Sequence, residues 1–424
     1  MFKRIVCVGL AVSIAFSVCC RQVKAEEITE MNEETTETVE EMIENYDEEM
    51  AEIDEMYRNL EITLPEEEFV WEEEKKTVAV NSNARAIISV PAGVCTSGTS
   101  TNTDLVWSMD TANNFEGSTV RESTLKEEFY TFGPKVKTSF VLPGMKTTNV
   151  NGASCSDMTP QGITYYDGYY FITAYCGNTK FFNDKISEHD SVIYVIKGTT
   201  KKLITTLVIK DKDNGETPHV GGIAYANGYL WLGATEKILF YDYDEIKEAI
   251  VYAENHPIVK SIYIGNYTNG EMTVDGGFAS FITTYKGYLV LGTYDDSLLG
   301  TGYLRFCYPN AVDNGTFGYI SKWELPKKAQ GMAFFSDSNY TYMIINTSRG
   351  ASNSKVYVYR TSGKLYSGVL TLTKSIYMPC YLEEAVTVEG YTYFVFESCA
   401  EQYRNGFIPV IGKVCGMDNA FIYK

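Results

Sequence analysis

Residues 221–236 read GGIAYANGYLWLGATE: a short strand-like run, the dipeptide Asn227-Gly228, and an apolar run rich in aromatic residues. Two such runs around an Asn-Gly dipeptide are typical of a β-hairpin. The pattern occurs five times at intervals of 54 to 60 residues, in stretches that begin at Gln161, Gly221, Gly276, Gln330 and Glu384. A fixed period of this size indicates an array of equal supersecondary units.

Two more strands follow the hairpin within a unit, for example KILFYDYD from Lys237 and VKSIYIGN from Val259. Four strands per unit, repeated radially, predict an all-β fold of the β-propeller class. The last unit has room for only three strands, whereas KTSFVLP, from Lys137, precedes the first unit without partners. We therefore predict five four-stranded blades within 137–424, with the N-terminal strand completing the last blade and removing open sheet edges. A sixth, degenerate blade within 95–136 is the alternative.

The first 25 residues predict a secretory signal peptide. Lys3 and Arg4 precede an apolar run, and Val23-Lys24-Ala25 fits a small-residue cleavage site. The run is short for a membrane-spanning helix, and no later segment is both apolar and long enough to span a membrane. We therefore expect a secreted, extracellular protein without a membrane span, in which residues 77–136 form a linker and N-terminal arm.

The formal net charge of −19 is concentrated in one segment. Residues 26–74 contain 22 Asp and Glu residues and one Arg, so the propeller region is nearly neutral. A neutral body without a basic stripe argues against a nucleic-acid partner. Segment 26–76 is predicted to be helical or disordered: apolar residues at heptad spacing within 36–61 favour a short coiled coil, and the density of like charge favours disorder. A basic partner would suit this segment.

The cysteines predict disulfides rather than a metal centre. Cys155 and Cys176 flank the first hairpin, and Cys380 and Cys399 occupy nearly the same places around the fifth. In an exported protein, repeat-equivalent pairs suggest two equivalent disulfides. No pair has the close spacing typical of zinc sites. Cys95, Cys307 and Cys415 form an odd remainder.

A binding site is expected where the loop before strand one and the loop after strand two of each blade open on the same face. The residues assigned to equivalent places before strand one are Gln161, Gly221, Gly276, Gln330 and Glu384, and those after strand two are Thr173, Gly233, Gly292, Asn346 and Glu397. The candidate ligand-binding residues are Gln161, His219, Asp275, Gln330, Asn346, Arg349 and Arg404. Two long loops add the aromatic residues Phe181, Phe182, Tyr403 and Phe407.

Glu384 and Glu397 are carboxylates at places where other blades have neutral residues. Departures from a repeat tend to mark function, because the scaffold does not require them. If the protein is an enzyme, these two are the candidate catalytic acid and base; otherwise they are solvated charges at the rim. No phosphate loop, dinucleotide fingerprint, His-Glu-x-x-His or nucleophile elbow occurs, and no cofactor is evident, although Ca²⁺ remains an option.

The stretch from Gly221 resembles repeats of secreted bacterial β-propellers, in the broad NHL, YVTN and gluconolactonase-like groups. The resemblance covers residues 137–424. Propellers of the gluconolactonase type hold a divalent metal with a Glu, an Asn and an Asp, which the resemblance maps to Glu384, Asn346 and either Asp275 or Asp157. Five-bladed glycosidases use three carboxylates in a similar funnel, which Glu384, Glu397 and one of the same two aspartates could supply.

The sequence therefore favours a secreted binding module that recognises a glycan, a peptide or a cell-surface protein on its funnel face. The alternative is an extracellular hydrolase, of the glycosidase or metal-dependent lactonase type, that uses Glu384 and Glu397. A third hypothesis is an assembly protein that acts through its acidic segment.

Overall fold

The computed structural model describes residues 94–96, 135–177, 189–209, 219–234, 237–264, 268–274, 279–295, 302–307, 316–317, 319–362, 365, 369–404 and 410–424. All of them fall within one compact unit, Leu60–Lys424. The predicted signal peptide and the acidic segment lie outside the described residues.

The described strands form five blades around a ring. The first blade holds β5 (Met158–Tyr166), β6 (Tyr169–Cys176), β7 (Ser191–Lys197) and β8 (Lys202–Ile209); the second holds β9 (Val220–Ala226), β10 (Tyr229–Ala234), β11 (Lys237–Asp242) and β13 (Thr268–Val274). The third holds β14 (Phe281–Tyr285), β15 (Tyr288–Gly292), β16 (Tyr303–Cys307) and β18 (Tyr319–Glu324); the fourth holds β19 (Ala329–Ser336), β20 (Thr341–Thr347), β21 (Ser354–Thr361) and β22 (Thr371–Met378).

The fifth blade joins the two ends of the chain. Its strands are β23 (Leu382–Val388), β24 (Tyr391–Phe396), β25 (Lys413–Asp418) and β2 (Val136–Val141). Strand β2 pairs antiparallel with β25, with Phe140 opposite Val414. The predicted completion of the last blade by the N-terminal strand is confirmed. Innermost strand β23 packs beside β5 of the first blade, which closes the ring at five blades.

The tight turns between the first two strands adopt the geometry that their sequences predict. Both central residues have positive φ in Asp167-Gly168 (50° and 84°) and in Asn227-Gly228 (52° and 85°), and the turns at Lys286 and Glu389 are alike. Two consecutive residues with positive φ define the type I′ turn, whose twist matches that of the flanking strands. These turn residues therefore fix the first hairpin in four of the five blades.

The innermost strands approach each other so closely that glycine is required at the contacts. A Cβ on Gly162 of β5 would lie 2.7 Å from backbone atoms of β9, and a Cβ on Gly222 of β9 would lie 2.2 Å from the backbone nitrogen of Ile282 in β14. Between the blades, apolar strand residues form the cores, for example Phe171, Ile193 and Leu232 between the first and second blades.

One strand predicted for the second blade belongs to the first. The sequence VKSIYIGN contains β12 (Ser261–Tyr263), which pairs parallel with β8, while β13 takes the fourth place in the second blade. The reason is helix α1 (Tyr243–Asn255), which follows β11 and buries Ile246 and Ile250 in the core between the first two blades. A connection through a helix allows parallel pairing, whereas a tight turn imposes antiparallel pairing.

Most of the stretch considered for a sixth blade, residues 97–134, lies outside the described residues, and a short strand at its start joins the first blade. Strand β1 (Val94–Cys95) pairs with β12, so this sheet has six strands in the order β1-β12-β8-β7-β6-β5. The remaining elements are the hairpin of β3 (Thr148–Val150) and β4 (Ala153–Cys155), β17 (Thr316–Phe317) beside β13, and helices α2 (Glu401–Arg404) and α3 (Asn419–Tyr423). Among the described residues, no helix is both long and apolar enough to cross a membrane.

Substituting two glycines of the first hairpin compares the cost in stability of losing close strand contact with that of losing the turn geometry. Gly168 has positive φ, but a Cβ there would meet nothing within 4 Å, so we expect Gly168→Ala to cost about 1 kcal/mol of backbone strain. Gly162→Ala places a Cβ against the backbone of the next blade and should cost about 3 kcal/mol, at the upper end for overpacking. Urea unfolding of both variants checks the order, and an equal or reversed order would contradict the proposed crowding at the axis.

Candidate functional site

Strand pairing shows which residues are equivalent at the start of each blade. Glu383, not Glu384, takes the place that Gln161 has in the first blade, since Ala385 faces its partner on the second strand as Ile163 does. The equivalent residues are Gln161, Gly221, Ser280, Gln330 and Glu383. The earlier assignments of Gly276 and Glu384 to this set are therefore wrong. The same register irregularity occurs at the start of β5, β9 and β23, and counting seven residues back from the turn glycines Gly168, Gly228, Gly287 and Gly390 gives four of the five places.

The assignment of Glu397 to the end of the second strand is also wrong, because Val395 takes that place in the fifth blade. In every blade, this residue directly follows the one that pairs with Ile163 or its equivalent on the first strand. In the other four blades it is Thr173, Gly233, Gly292 and Asn346. Glu397 lies two residues further, in a 3₁₀ turn (Glu397–Cys399), at the place of Tyr175 in the first blade. Its backbone N–H donates to the carbonyl of Tyr381 at 2.9 Å. Glu397 is therefore held at the junction of the fifth and first blades.

Glu383 and Glu397 form a hydrogen-bonded carboxyl pair, which we call the axial carboxyl pair. Glu383 is only 4% exposed, whereas Glu397 is half-buried and keeps contact with solvent. Gln161 Nε2 donates to Glu397 Oε2 at 3.0 Å and to the carbonyl of Pro160 at 3.0 Å. The bond from Gln161 joins the first blade to the fifth.

The environment favours the protonated form of both acids. Burial raises the pKa of Glu397 to about 8, although the hydrogen bonds from Gln161 and Glu383 act in the opposite direction. Burial, followed by the negative charges of Glu397 and Glu384, raises the pKa of Glu383 well above its usual value. Two carboxyl groups in contact cannot both ionise cheaply, so we expect them to share a proton at neutral pH.

Glu384 has a structural environment. It is 1% exposed, and its Oε1 accepts hydrogen bonds from the backbone N–H of Met332 in β19 at 2.7 Å and from that of Ala385 at 3.2 Å. Its Oε2 accepts no hydrogen bond within the described residues, and burial raises the pKa of this carboxyl. A Cβ on Gly331 would lie 2.5 Å from Oε1. Glu384 thus bridges the innermost strands of the fourth and fifth blades, and backbone N–H groups donate the hydrogen bonds that its carboxyl group accepts.

Asn346 supports the same junction from the fourth blade. Its side chain is fully buried, and Nδ2 donates to the backbone carbonyl of Glu383 at 3.2 Å. The Oδ1 atom finds no donor in the part of the chain that the structure describes. Gln330 is half-buried at the start of β19, in the place equivalent to Glu383.

Aromatic side chains stand beside the axial carboxyl pair. The rings of Tyr175 and His219 lie 4.0 Å apart, and those of Tyr381 and Tyr403 lie 4.4 Å apart. Burial and the charge of Glu397 raise the pKa values of Tyr175 and Tyr403, so both remain phenols that can donate hydrogen bonds. Gln402 Nε2 donates to Thr159 Oγ1 at 2.7 Å. The result is a polar site with ring faces at its side.

Several residues predicted for the site are exposed or lie outside the described residues. Arg349 is exposed after β20. Asp275, Phe181, Phe182, Phe407 and the side chain of Arg404 lie outside the described residues. Sequence reasoning missed Tyr175 and Tyr381, and it did not single out Glu383.

The predicted disulfides are absent from this structure. The Sγ atoms of Cys155 and Cys176 do meet, but at 3.6 Å and as thiols, and Cys380 and Cys399 are buried thiols as well. A disulfide has its sulfurs about 2.05 Å apart. In the described part of the chain, the group of three potential metal-ligating side chains that converges is Cys155, Cys176 and His189. It offers no oxygen ligands, which Ca²⁺ would require.

No family model and no curated protein matches this chain. Solved structures similar to it include a GH43_1 enzyme from Xanthomonas citri (9% identity, TM-score 0.39, 69% of this chain and 92% of that one) and RS223 β-xylosidase (10%, 0.39, 66% and 94%). An exo-β-1,3-galactanase from Phanerochaete chrysosporium matches at 11% identity with a TM-score of 0.36, over 66% of this chain and 64% of that one. Fold does not imply function, so activity has to be argued from the site itself. The resemblance to NHL, YVTN and gluconolactonase-like repeats stays a prediction.

The raised pKa values predict how stability depends on pH. A Glu whose pKa is higher in the folded protein binds its proton more tightly there, so stability is lost as pH rises from the unfolded-state pKa to the folded-state value. For Glu397 that window runs from 4.5 to about 8. We expect the Tm of the wild type, relative to Glu397→Gln, to fall between about pH 5 and about pH 8.

Thermal unfolding monitored by circular dichroism at the two pH values measures this difference. The matched control is Glu248→Gln on the exposed face of α1, which should follow the wild type at both pH values. A Tm difference between wild type and Glu397→Gln that does not change with pH would contradict the raised pKa.

Proposed function

We propose that this protein is a secreted β-propeller that binds a glycan in its funnel, at the axial carboxyl pair. The observation that carries this proposal is the hydrogen-bonded set of Gln161, Glu383 and Glu397 beside the rings of Tyr175 and Tyr403. Secretion is part of the proposal and rests on the leader, residues 1–25.

The chemistry of the site suits a sugar. Each sugar hydroxyl both donates and accepts hydrogen bonds, and the site offers carboxyl oxygens that accept, together with amide and phenol groups that donate. Because the carboxyl pair holds a shared proton, it carries less charge than two separate carboxylates, and covering it with a ligand costs less desolvation. The tyrosine rings provide apolar faces for the C–H face of a sugar ring.

The site is also rigid, which favours affinity. Glu383 lies on β23, Gln161 lies on β5, and Glu397 lies in a 3₁₀ turn fixed by its hydrogen bond to Tyr381. Groups placed on packed strands lose little conformational entropy on binding. Asn346 adds to this by holding the backbone of Glu383.

Glycan-array screening of the full-length protein followed by calorimetry on the best ligand tests binding. Removing a hydrogen bond to a charged group costs about 1.5–3 kcal/mol, so Glu397→Gln should weaken binding roughly 10- to 100-fold. Glu248→Gln, remote from the funnel on α1, should bind as the wild type does. Equal affinity of Glu397→Gln and wild type, or binding of a peptide and no glycan, would refute the proposal.

A second candidate is a glycoside hydrolase activity, and the pKa of Glu397 favours it. A carboxyl whose pKa is raised to about 8 can hold a proton at neutral pH, as a general acid must. The partner would be Glu383 rather than the Glu384 expected from sequence, because the backbone of β19 occupies Glu384. Glycosidases hold their two carboxyl groups about 5–9.5 Å apart, so a hydrogen-bonded pair would have to separate on substrate binding.

Turnover of aryl glycosides distinguishes the two candidates. If the protein is a hydrolase, Glu397→Gln should lower kcat by about 10²- to 10⁴-fold, the usual contribution of a general acid. Glu384→Gln should retain kcat while changing thermal stability, since its role is structural. Binding without turnover by the wild type would leave the binding module as the function.

A further inference from the structure

We propose that Cys155, Cys176 and His189 form a zinc site in the first blade. The site shares no residue with the axial carboxyl pair, so the inference stands apart from the proposed function. Cys155 ends β4, Cys176 ends β6, and His189 precedes β7 by two residues. Three separate segments therefore bring their ligand atoms to one place, all within 4.8 Å of one another.

Two of the three distances between the ligand atoms match those that a zinc ion imposes. With Zn–S bonds of about 2.3 Å and a Zn–N bond of about 2.0–2.1 Å, tetrahedral geometry places two sulfurs about 3.8 Å apart and sulfur about 3.6 Å from nitrogen. The observed distances are 3.6 Å between the two Sγ atoms and 3.8 Å between Cys176 Sγ and His189 Nδ1. A pair of thiolates with an imidazole is a ligand set that suits zinc, whereas carboxylate-preferring cations would find no oxygen.

The surroundings hold the ligands in place. The backbone N–H of Gly177, next to Cys176, donates to the carbonyl of Asp157 at 2.7 Å, which fixes the segment of Cys155 against the end of β6. The backbone N–H of Asp157 donates to the sulfur of Cys155. Hydrogen bonds of this kind orient the ligands of a metal site. Both cysteines are buried, and the half-buried His189 lies at the accessible side.

Three protein ligands leave one tetrahedral position for water or for an added group. Binding exchanges the protons of the two thiols for one Zn²⁺ and releases them to solvent, without any change of oxidation state. The metal would join the β3-β4 hairpin to the first blade and fix the point where the chain returns to β7.

The test uses the full-length chain, purified with a reductant and without chelators, then loaded with Zn²⁺ and dialysed. We expect one zinc per chain by elemental analysis, and a thiolate-to-metal charge-transfer band when Co²⁺ replaces Zn²⁺. Cys176→Ser and His189→Ala should each weaken zinc binding more than about tenfold. The matched controls are Cys307→Ser, a buried cysteine in β16, and His256→Ala, at the end of α1, which should bind as the wild type does.

A chelator provides a second measurement that does not depend on the buried cysteine variants. Since zinc binds only the folded site, removing it should lower the Tm of the wild type and of His256→Ala but not that of His189→Ala. Three results would each overturn the proposal: no stoichiometric zinc, equal zinc binding by His189→Ala and wild type, or peptide mapping that finds Cys155 and Cys176 joined in a disulfide in the protein as isolated.

Discussion

The antiparallel pairing of β2 with β25 is the interaction on which the rest of the structure depends. It supplies the fourth strand of the fifth blade from the opposite end of the described chain. Without it, β25 would present an open edge, and open edges pair with other chains. With the fifth blade complete, β23 packs beside β5, and every innermost strand has a neighbour on each side. The axial carboxyl pair lies where this closure brings the last and first blades together.

Crowding at the axis gives the carboxyl groups their character. The innermost strands are in close contact at Gly162, Gly222 and Gly331, where a Cβ would meet the neighbouring blade. The fifth blade departs with two consecutive glutamates. Glu384 accepts a hydrogen bond from the backbone of β19, and Glu383 forms a hydrogen bond with Glu397. Buried carboxyls are tolerated because hydrogen bonds and a retained proton compensate for lost hydration.

Much of the architecture could be predicted because its signals are local. Turn dipeptides such as Asn227-Gly228 specify hairpins, and the missing strand of the last unit pointed to β2. The placement of β12 could not be predicted, because the burial of α1 between two blades is a tertiary effect. The choice between Glu383 and Glu384 depended on the pairing register of β23 with β24, which places Ala385 opposite Phe394. The meeting of Cys155 with His189 depends on β4 lying next to the end of β6, which spacing along the chain does not reveal.

The hydrogen bond between Gln161 and Glu397 spans 236 residues of sequence, so its two partners are synthesised at different times. A ribosome delivers the Gln161 half of the site long before the Glu397 half. During synthesis, four blades can be complete while the funnel still lacks its acids. The Gln161–Glu397 bond therefore forms only when the last blade has been made and the ring is closed.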